Sequence, residues 1–176
     1  MGFENPRNQT PDLDSVAVET PLGPVRIEFS VRGLCCVRFD DDVVTASGEQ
    51  SDPRVAGWLD EIHHLATGQP RRRQLPIDEL ARARTWGEAG ADSLRARAWR
   101  LIESIPHGQT WSYGDLARRL GQPRAARAVA RACAANPLLL LVPCHRVIRG
   151  NQKPGGYSGG SARKRALLEA EAVAIA

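Results

Sequence analysis

The residues best suited to chemistry are a cysteine and a histidine that follow one another, Cys144 and His145, within residues 143–147 (PCHRV). A thiolate is a strong and soft nucleophile, and a neighbouring imidazole can act as the base that generates it. Arginines nearby favour the anionic form of the thiol. From the dipeptide alone, however, a core cysteine beside a surface histidine is the simpler interpretation, so the surrounding sequence has to decide.

Two helices joined by a short turn are predicted immediately before this cysteine. The pair Ser112 and Asp115 forms a capping-box pattern that opens a first helix ending at Leu120. Residues 121–123 (GQP) form the turn, and residues 124–135 form the second helix. This is the spacing of a helix-turn-helix, the motif that many proteins use to enter the major groove of DNA.

The second of these helices is predicted to carry an arginine face. Arg124, Arg127 and Arg131 recur at i, i+3 and i+7, and most of the remaining residues are alanine. Small side chains let a helix backbone approach a DNA groove while the arginines reach phosphates or bases. A tightly packed alanine-rich core helix with a solvated arginine face has the same pattern, and spacing alone does not choose between the two.

The elements that must position these residues differ between the two halves of the chain. Short runs rich in β-branched residues predict strands at 15–20, 25–30, 34–40 and 74–77. Helical spacing predicts helices at 53–66, 93–105, 112–120, 124–135 and 161–173. The apolar face of the first helix is predicted to consist of Val55, Leu59, Ile62 and Leu65. Residues 78–91 are charged and contain glycine, which predicts a linker with a helical turn.

Composition and charge narrow the class of protein. The chain has 176 residues, 42% of them apolar, which is enough for one substantial core or for a small lobe plus a medium one. The formal net charge is +4. Asp115 is the only carboxylate between Glu103 and Glu169, whereas arginines are frequent there. That stretch is a candidate nucleic-acid footprint.

The cysteine pattern and the apolar runs argue against other classes. No C-x-x-C pair is present, so the spacing of a zinc site is missing. Cys35 and Cys36 lie in an apolar strand pattern, so at least one of them is predicted to be a buried, inert thiol. Residues 1–12 are polar and predict no signal peptide, and the longest aliphatic run, 138–142, is far too short to span a bilayer. We expect a soluble, intracellular protein.

Four motifs together resemble a known family, the O6-alkylguanine-DNA alkyltransferases. The motifs occur in the family's order and spacing at 127–129 (RAV), 136–137 (NP), 143–147 (PCHRV) and 156–160 (GYSGG). Residues 127–136 (RAVARACAAN) look most like the C-terminal domain of bacterial Ada. The resemblance is strong from about residue 91 to residue 171. It is looser in the N-terminal part, where residues 20–24 (TPLGP) are similar to a strand-turn-strand element of the family.

The resemblance implies catalytic roles for four residues. Cys144 is the nucleophile and permanent alkyl acceptor, and His145 takes the thiol proton through a water. Glu171 orients His145, which is the base-and-orienter logic of a catalytic triad. Asn136 orders the turn beneath the site.

The resemblance also implies substrate-binding and DNA-binding roles. Tyr113 crowds a phosphate so that the nucleotide rotates outward, and Arg127 fills the vacated stack. Tyr157 and Ser158 bind the flipped guanine, while backbone groups at Cys144 and Val147 contact its exocyclic amine. The residues expected to contact DNA are Arg124, Arg131 and Arg146. For Arg146 a second role is open, that of bracing the loop around the cysteine.

The implied fold is α+β, with a small N-terminal antiparallel-sheet lobe and a helical C-terminal lobe that holds the helix-turn-helix. Residues 1–80 are expected to form the ribonuclease-H-like N-terminal lobe, and residues 81–176 the DNA-binding and alkyl-transfer domain. The implied reaction is direct-reversal repair without cofactor or metal. An alkyl group passes irreversibly from O6-alkylguanine in double-stranded DNA to Cys144, once per molecule, with O4-alkylthymine as an open second substrate. A cytoplasmic monomer that binds no membrane is expected, and cooperative binding to DNA is left open.

Three other functions compete with this one. A DNA-binding, non-enzymatic alkyltransferase-like sensor lacks the reactive cysteine, so Cys144 argues against it. A transcriptional regulator like full-length Ada needs clustered N-terminal cysteines that bind zinc, and the sequence has none. A cysteine–histidine hydrolase would turn over and ignore DNA. The protein's mass after incubation with an O6-methylguanine duplex separates these functions.

Overall fold

A three-stranded antiparallel sheet opens the described part of the chain. A computed structural model of the protein describes residues 13–43, 52–84 and 90–175, so the prediction for residues 1–12 lies outside it. β1 (Asp14–Val18) pairs with β2 (Val25–Ser30), and β2 pairs with β3 (Gly33–Phe39). The three predicted strands are therefore confirmed, with bounds that differ by one or two residues.

The sheet turns one face to the core, as its sequence alternation requires. In β2, Val25, Ile27 and Phe29 are buried, whereas Arg26 and Glu28 between them are more exposed. Successive side chains of a strand point to opposite faces, so this period of two places every second residue in the interior.

The fourth predicted strand, at residues 74–77, is not formed. The segment makes one parallel bridge between Ile77 and Leu34 of β3. Leu34 donates its N–H to the carbonyl of Pro76 at 2.9 Å and accepts from the N–H of Asp78 at 2.9 Å. Pro76 has no N–H and therefore cannot extend the ladder, which limits the pairing to a single bridge.

Two helices follow the sheet. α1 (Pro53–Ala66) has the predicted bounds, and Asp52 caps it by accepting from the N–H of Arg54. Its predicted apolar face is buried except at Leu59, which is only partly covered. α2 (Glu79–Arg84) lies in the segment that was predicted to be a linker with a helical turn, and residues 85–89 lie outside the described residues.

Helices make up most of the regular secondary structure in the rest of the described chain. The remaining elements are α3 (Leu94–Glu103), β4 (Trp111–Ser112), α4 (Tyr113–Arg119), α5 (Ala126–Ala134), β5 (Val147–Ile148) and α6 (Ser161–Ala170). The capping box predicted at the start of α4 is formed, because Ser112 and Asp115 bond to each other's backbone N–H. The final helix ends three residues early, since Ala172 has a positive φ of 58°. The short strands β4 and β5 pair in parallel.

The second helix of the predicted helix-turn-helix begins later than expected. α5 starts at Ala126, and its N-cap position, Ala125, provides no side-chain hydrogen bond. Arg124 therefore lies before the helix, so only Arg127 and Arg131 belong to its face, four residues apart. Trp99 of α3 anchors α5 by donating its indole N–H to the carbonyl of Ala132 at 2.8 Å.

One hydrophobic cluster joins the sheet, α1 and the C-terminal helices. It includes Val37 of β3, Ile62 of α1 and Val129 of α5, each 0% exposed. The division of the chain near residue 80 stays a prediction. The prediction that Cys35 or Cys36 is buried is wrong, because both are only half-buried on β3. None of the helices within the described residues is long and apolar enough to cross a membrane.

Candidate active site

The segment that leads to Cys144 is attached to the free edge of β3. Val37 donates its N–H to the carbonyl of Pro137 at 2.8 Å and accepts from the N–H of Leu139 at 2.9 Å. The chain then turns through Leu140, whose φ is 69°, and enters a single 3₁₀ turn, Cys144–Arg146. Two backbone hydrogen bonds therefore tie the segment before the cysteine to the sheet.

Asn136 orders this turn and contacts the thiol. Its Oδ1 accepts from the N–H of Leu138 at 3.0 Å, and its Nδ2 donates to the carbonyl of Val142 at 2.9 Å. The same Nδ2 lies 3.2 Å from Cys144 Sγ and donates to it. Asn136 therefore lies between the turn and the thiol, and its bond to sulfur favours the thiolate.

Behind the cysteine lies a buried cluster centred on Glu171. Glu171 Oε1 lies 2.9 Å from His145 Nε2, and its Oε2 accepts from Arg146 Nε at 2.9 Å. Arg146 Nη2 and the N–H of Gly108 donate to the same carboxylate, at 3.0 and 3.1 Å. Burial raises the pKa of Glu171, but the bonds from His145 and Arg146 outweigh this effect and lower the pKa to about 2. Glu171 is therefore ionised at neutral pH.

Arg146 is committed to this cluster. Besides its bonds to Glu171, its Nη1 donates to the carbonyl of Ile105 at 2.9 Å, and only 12% of its side chain is exposed. A guanidinium that is held by a buried carboxylate and a carbonyl, with only a small part of its side chain exposed, offers little surface to a phosphate in solvent. The geometry thus favours the loop-bracing alternative over the DNA contact first assigned to Arg146.

The ionised carboxylate fixes the tautomer of His145. An ionised carboxylate only accepts hydrogen bonds, so His145 Nε2 must carry the hydrogen. Burial lowers the pKa of His145, so the ring is neutral near pH 7. Nδ1 then holds a free lone pair, and it is buried with no hydrogen-bond partner among the described residues. His145 is thus prepared to accept one proton at Nδ1.

The thiol of Cys144 is protonated in this environment. Burial raises its pKa to about 11, although the hydrogen bond from Asn136 and the charge of Lys164 act in the opposite direction. A proximal base is therefore needed to release the nucleophile at neutral pH.

Five of the predicted residues line one pocket of about 510 Å³. They are Tyr113, Arg127, Cys144, Tyr157 and Ser158. The wall is completed by residues that were not predicted, namely Ala126, Ala130, Cys133, Ala134, Arg149 and Gly156. Small side chains on α5 leave room for a flat ligand over the thiol. Val147 is not on this wall; its side chain is 0% exposed.

The two tyrosines of the pocket keep their protons. Burial raises the pKa of Tyr157 well above its ordinary value, and burial raises that of Tyr113 to about 12. The hydroxyl of Tyr157 is buried and has no hydrogen-bond partner in the part of the chain that the structure describes. It is therefore a hydrogen-bond donor available to a ligand, which suits stabilisation of charge on a leaving group.

Lys164 is a residue of the site that the sequence did not identify. It is 0% exposed, and its Nζ donates to the carbonyl of Val147 at 2.5 Å and to that of Gly156 at 3.2 Å. Burial lowers its pKa to about 8, and the neighbouring Cys144 raises it. Lys164 thus joins the segment after the cysteine to the loop that carries Tyr157, and its charge lies close enough to stabilise a thiolate.

The three other arginines proposed to meet DNA lie on the surface. Arg124, Arg127 and Arg131 are all exposed, but only Arg127 reaches the pocket wall. Arg149 also lines the pocket and adds a cation that was not predicted. No cluster of three or more histidine, cysteine, aspartate or glutamate side chains able to hold a metal occurs among the described residues.

Comparison with known proteins gives consistent likenesses. The family 6-O-methylguanine DNA methyltransferase, DNA binding domain, matches residues 93–173. The methylated-DNA–protein-cysteine methyltransferase of Mycobacterium tuberculosis is 34% identical over 88% of this chain and 89% of that protein. The protein of the same name from Shigella flexneri is 46% identical over 88% of this chain and 92% of that protein. The bifunctional transcriptional activator/DNA repair enzyme Ada of Escherichia coli is 34% identical over 86% of this chain, which corresponds to 43% of Ada.

A solved structure shares the fold. The crystal structure of Mycobacterium tuberculosis OGT in complex with DNA has a TM-score of 0.70 and 33% identity, covering 89% of this chain and 91% of that one. Fold and site together define a DNA-binding α+β protein whose pocket ends at a buried cysteine, which confirms the predicted fold class. Because the identity to the two methyltransferases of Mycobacterium tuberculosis and Shigella flexneri exceeds 30% over about nine tenths of each protein, the chain belongs to the methylated-DNA–protein-cysteine methyltransferase family.

Proposed function

We propose that Cys144 accepts the alkyl group of O6-alkylguanine in double-stranded DNA, once per molecule. The observation that carries this proposal is the position of the Cys144 thiol on the wall of a pocket that Tyr113, Arg127, Tyr157 and Ser158 also line. The alkylated oxygen of guanine is buried in the duplex, so the base has to rotate into a pocket of this kind before a thiol can reach it.

The proton of the thiol passes to His145. Nδ1 is the unprotonated nitrogen because the Glu171 carboxylate holds Nε2 at 2.9 Å. We propose that one water relays the proton from Sγ to Nδ1. The imidazolium that results is stabilised by the Glu171 carboxylate beside it.

The thiolate then displaces guanine at the alkyl carbon. The S–C bond forms, the C–O6 bond breaks, and its electron pair remains on the departing guanine. The Tyr157 hydroxyl, protonated and without another partner in the described residues, donates a hydrogen bond that stabilises this charge. A thioether is not easily hydrolysed, so the protein is consumed.

Extrusion of the base is assigned to Tyr113 and Arg127. Arg127 is exposed on α5 and borders the pocket mouth, where it can occupy the gap left in the base stack. Unstacking and unpairing a base costs about a few kcal/mol, so a side chain that fills the gap offsets part of this cost. Arg124 and Arg131, exposed on either side of it, supply phosphate contacts.

The mass of the intact protein after incubation with an O6-methylguanine duplex tests the proposal. We expect one methyl group per molecule, located on Cys144 and saturating at one equivalent. Cys133→Ser is the matched control, because Cys133 is a second buried thiol on the same pocket wall and burial raises its pKa to about 12. Transfer is expected to persist in Cys133→Ser and to be absent in Cys144→Ser.

Two results would contradict the proposal. Methyl found on Cys133 in the Cys144→Ser variant would remove Cys144 from the reaction, and more than one methyl released per molecule would indicate turnover.

We also propose a cytoplasmic location. The four cysteines are free thiols, as a reducing compartment keeps them.

A further inference from the structure

Arg163, in the first turn of α6, crosses to the N-terminal sheet. Its Nε donates to the carbonyl of Leu22 at 2.7 Å, and its Nη2 pairs with the carboxylate of Asp41. The guanidinium carbon lies 4.6 Å from the centre of the Phe39 ring, within the range of a cation–π contact. The β1–β2 turn and the end of β3 therefore form a seat for this one side chain, which is 21% exposed.

The same guanidinium holds the loop that lines the pocket. Nη1 donates to the carbonyl of Gly159 at 3.2 Å. Gly159 directly follows Tyr157 and Ser158, the two residues assigned to the flipped guanine. A Cβ at Gly159 would lie 2.6 Å from Tyr157 Cε1 and 2.7 Å from Phe39 Cδ2, so the three residues are in direct contact with no room for a methyl group.

We infer that Arg163 is a positioning residue that makes the N-terminal sheet a part of the substrate pocket. The planar guanidinium presents several donors in a fixed arrangement, so it joins Leu22, Asp41 and Gly159 at defined distances. Together with the Phe39 ring, it fixes the position of the Tyr157 ring and hydroxyl. This inference rests on the proposed function, because it requires that Tyr157 and Ser158 bind the guanine.

Arg163→Ala tests the inference by releasing the Gly159 carbonyl and uncovering Phe39. A displacement of about 1 Å in a substrate-binding group can slow a reaction about a hundredfold. We expect transfer from the duplex, and from free O6-benzylguanine, to slow by about ten- to a hundredfold. Binding of the duplex is expected to stay unchanged, because the exposed arginines of α5 do not contact this seat.

Arg54→Ala is the matched control. Arg54 also pairs with an aspartate, Asp52, donates to a carbonyl, that of Val31 at 2.9 Å, and lies over an aromatic ring, that of Trp58 at 5.2 Å. It makes these contacts at the start of α1 and does not line the pocket. Its loss is expected to remove similar contacts while leaving transfer at the wild-type rate.

The rate at which iodoacetamide alkylates Cys144 separates positioning from unfolding. This reagent needs no contact with Tyr157 or Ser158 to react, so a folded Arg163→Ala protein is expected to react at the wild-type rate while transfer slows. If iodoacetamide modifies Cys144 and Cys133 faster, the variant is unfolded, and Phe39→Leu decides instead. The inference is overturned if Arg163→Ala transfers the alkyl group as fast as Arg54→Ala does. It is also overturned if a folded Phe39→Leu variant transfers the group at the wild-type rate. Failure of the proposed function is distinct, because the wild-type protein would then carry no methyl group.

Discussion

Replacing Glu171 by glutamine changes one charge at the centre of the buried cluster. The carboxylate is 5% exposed and accepts hydrogen bonds from His145, Arg146 and Gly108. Glutamine keeps the shape but offers one acceptor oxygen and one NH₂ group. If the oxygen faces Arg146, the NH₂ faces Nε2 and forces the hydrogen of His145 onto Nδ1, which removes the free lone pair from the side that the reaction needs.

The lowered pKa of Glu171 gives the size of the effect on stability. The fall from 4.5 to about 2 corresponds to about 3 kcal/mol of stabilisation at neutral pH, at about 1.4 kcal/mol for each tenfold change in proton affinity. Because the pKa is lower in the folded protein, this contribution is present above about pH 4.5 and is lost as the pH falls towards about 2. Loss of an oriented general base slows catalysis by about a hundred- to ten thousandfold.

Denaturant unfolding and single-turnover transfer measure the two consequences of Glu171→Gln. We expect the free energy of unfolding to fall by about 3 kcal/mol at neutral pH, and the difference from wild type to shrink as the pH approaches about 2. Glu103→Gln is the control, since Glu103 accepts from Arg82 at 2.7 Å but lies outside the His145 cluster. A transfer rate in Glu171→Gln equal to that in Glu103→Gln would refute the role of Glu171. A difference in the free energy of unfolding that does not depend on pH would refute the conclusion that Glu171 is ionised in the folded protein.

Three further perturbations have defined outcomes. Arg127→Ala is expected to slow duplex repair by about ten- to a thousandfold, or about 1–4 kcal/mol, yet barely change the rate of reaction with free O6-benzylguanine. Its control, Arg131→Ala, should only weaken DNA binding and lower the slope of binding against salt concentration by about one. Equal slowing of Arg127→Ala on both substrates would contradict the role of Arg127. Lys164→Met removes a charge that favours the Cys144 thiolate, and with a pKa of about 8 Lys164 carries that charge at neutral pH. Thiol alkylation at pH 7 should therefore slow, and an unchanged rate would exclude the electrostatic role. Asn136→Ala leaves buried backbone groups without partners and should cost about 1–3 kcal/mol of stability in denaturant unfolding, and an unchanged midpoint would contradict this.

Local chemistry made several elements predictable from the sequence. The capping box of Ser112 and Asp115 fixed the start of α4, because its two reciprocal bonds depend only on residues three apart. α1 was predicted with its observed bounds from the helical spacing of its apolar residues, and the structure adds a cap at Asp52 followed by Pro53 in the first turn. The start of α5 was misjudged by two residues, because Pro123 marks the end of the turn without showing how many residues follow before the helix.

Long-range contacts could not be predicted in the same way. Residues 163–165 (RKR) look like a solvated cationic cluster, yet Lys164 is fully buried and Arg163 is seated on the sheet. Only the distant carbonyls of Val147 and Gly156 identify which cation enters the interior. The sequence did contain one indication that Lys164 is buried, because it precedes the apolar Leu167 by three residues and therefore shares its helix face.

The same dependence on distant partners decided the role of Arg146. Its sequence position beside the cysteine suits a DNA contact and a brace equally well. The choice follows from Glu171, which is 25 residues further along the chain and takes up the guanidinium. A sequence motif thus identifies the reacting atoms, whereas the contacts between separate elements determine which neighbouring charges serve them.

The raised pKa of Cys144 explains how a protein that reacts once can keep its thiol until a lesion arrives. A thiol with a pKa of about 11 holds its proton at neutral pH, and oxidants and electrophiles react with the thiolate rather than the thiol. Removing that proton without a base costs about 5 kcal/mol at neutral pH. In the proposed mechanism His145 lowers this cost by accepting the proton at Nδ1, and formation of the S–C bond makes the step irreversible. Because the thiol lies on the pocket wall and is 2% exposed, burial favours its reaction with a substrate that fits the pocket.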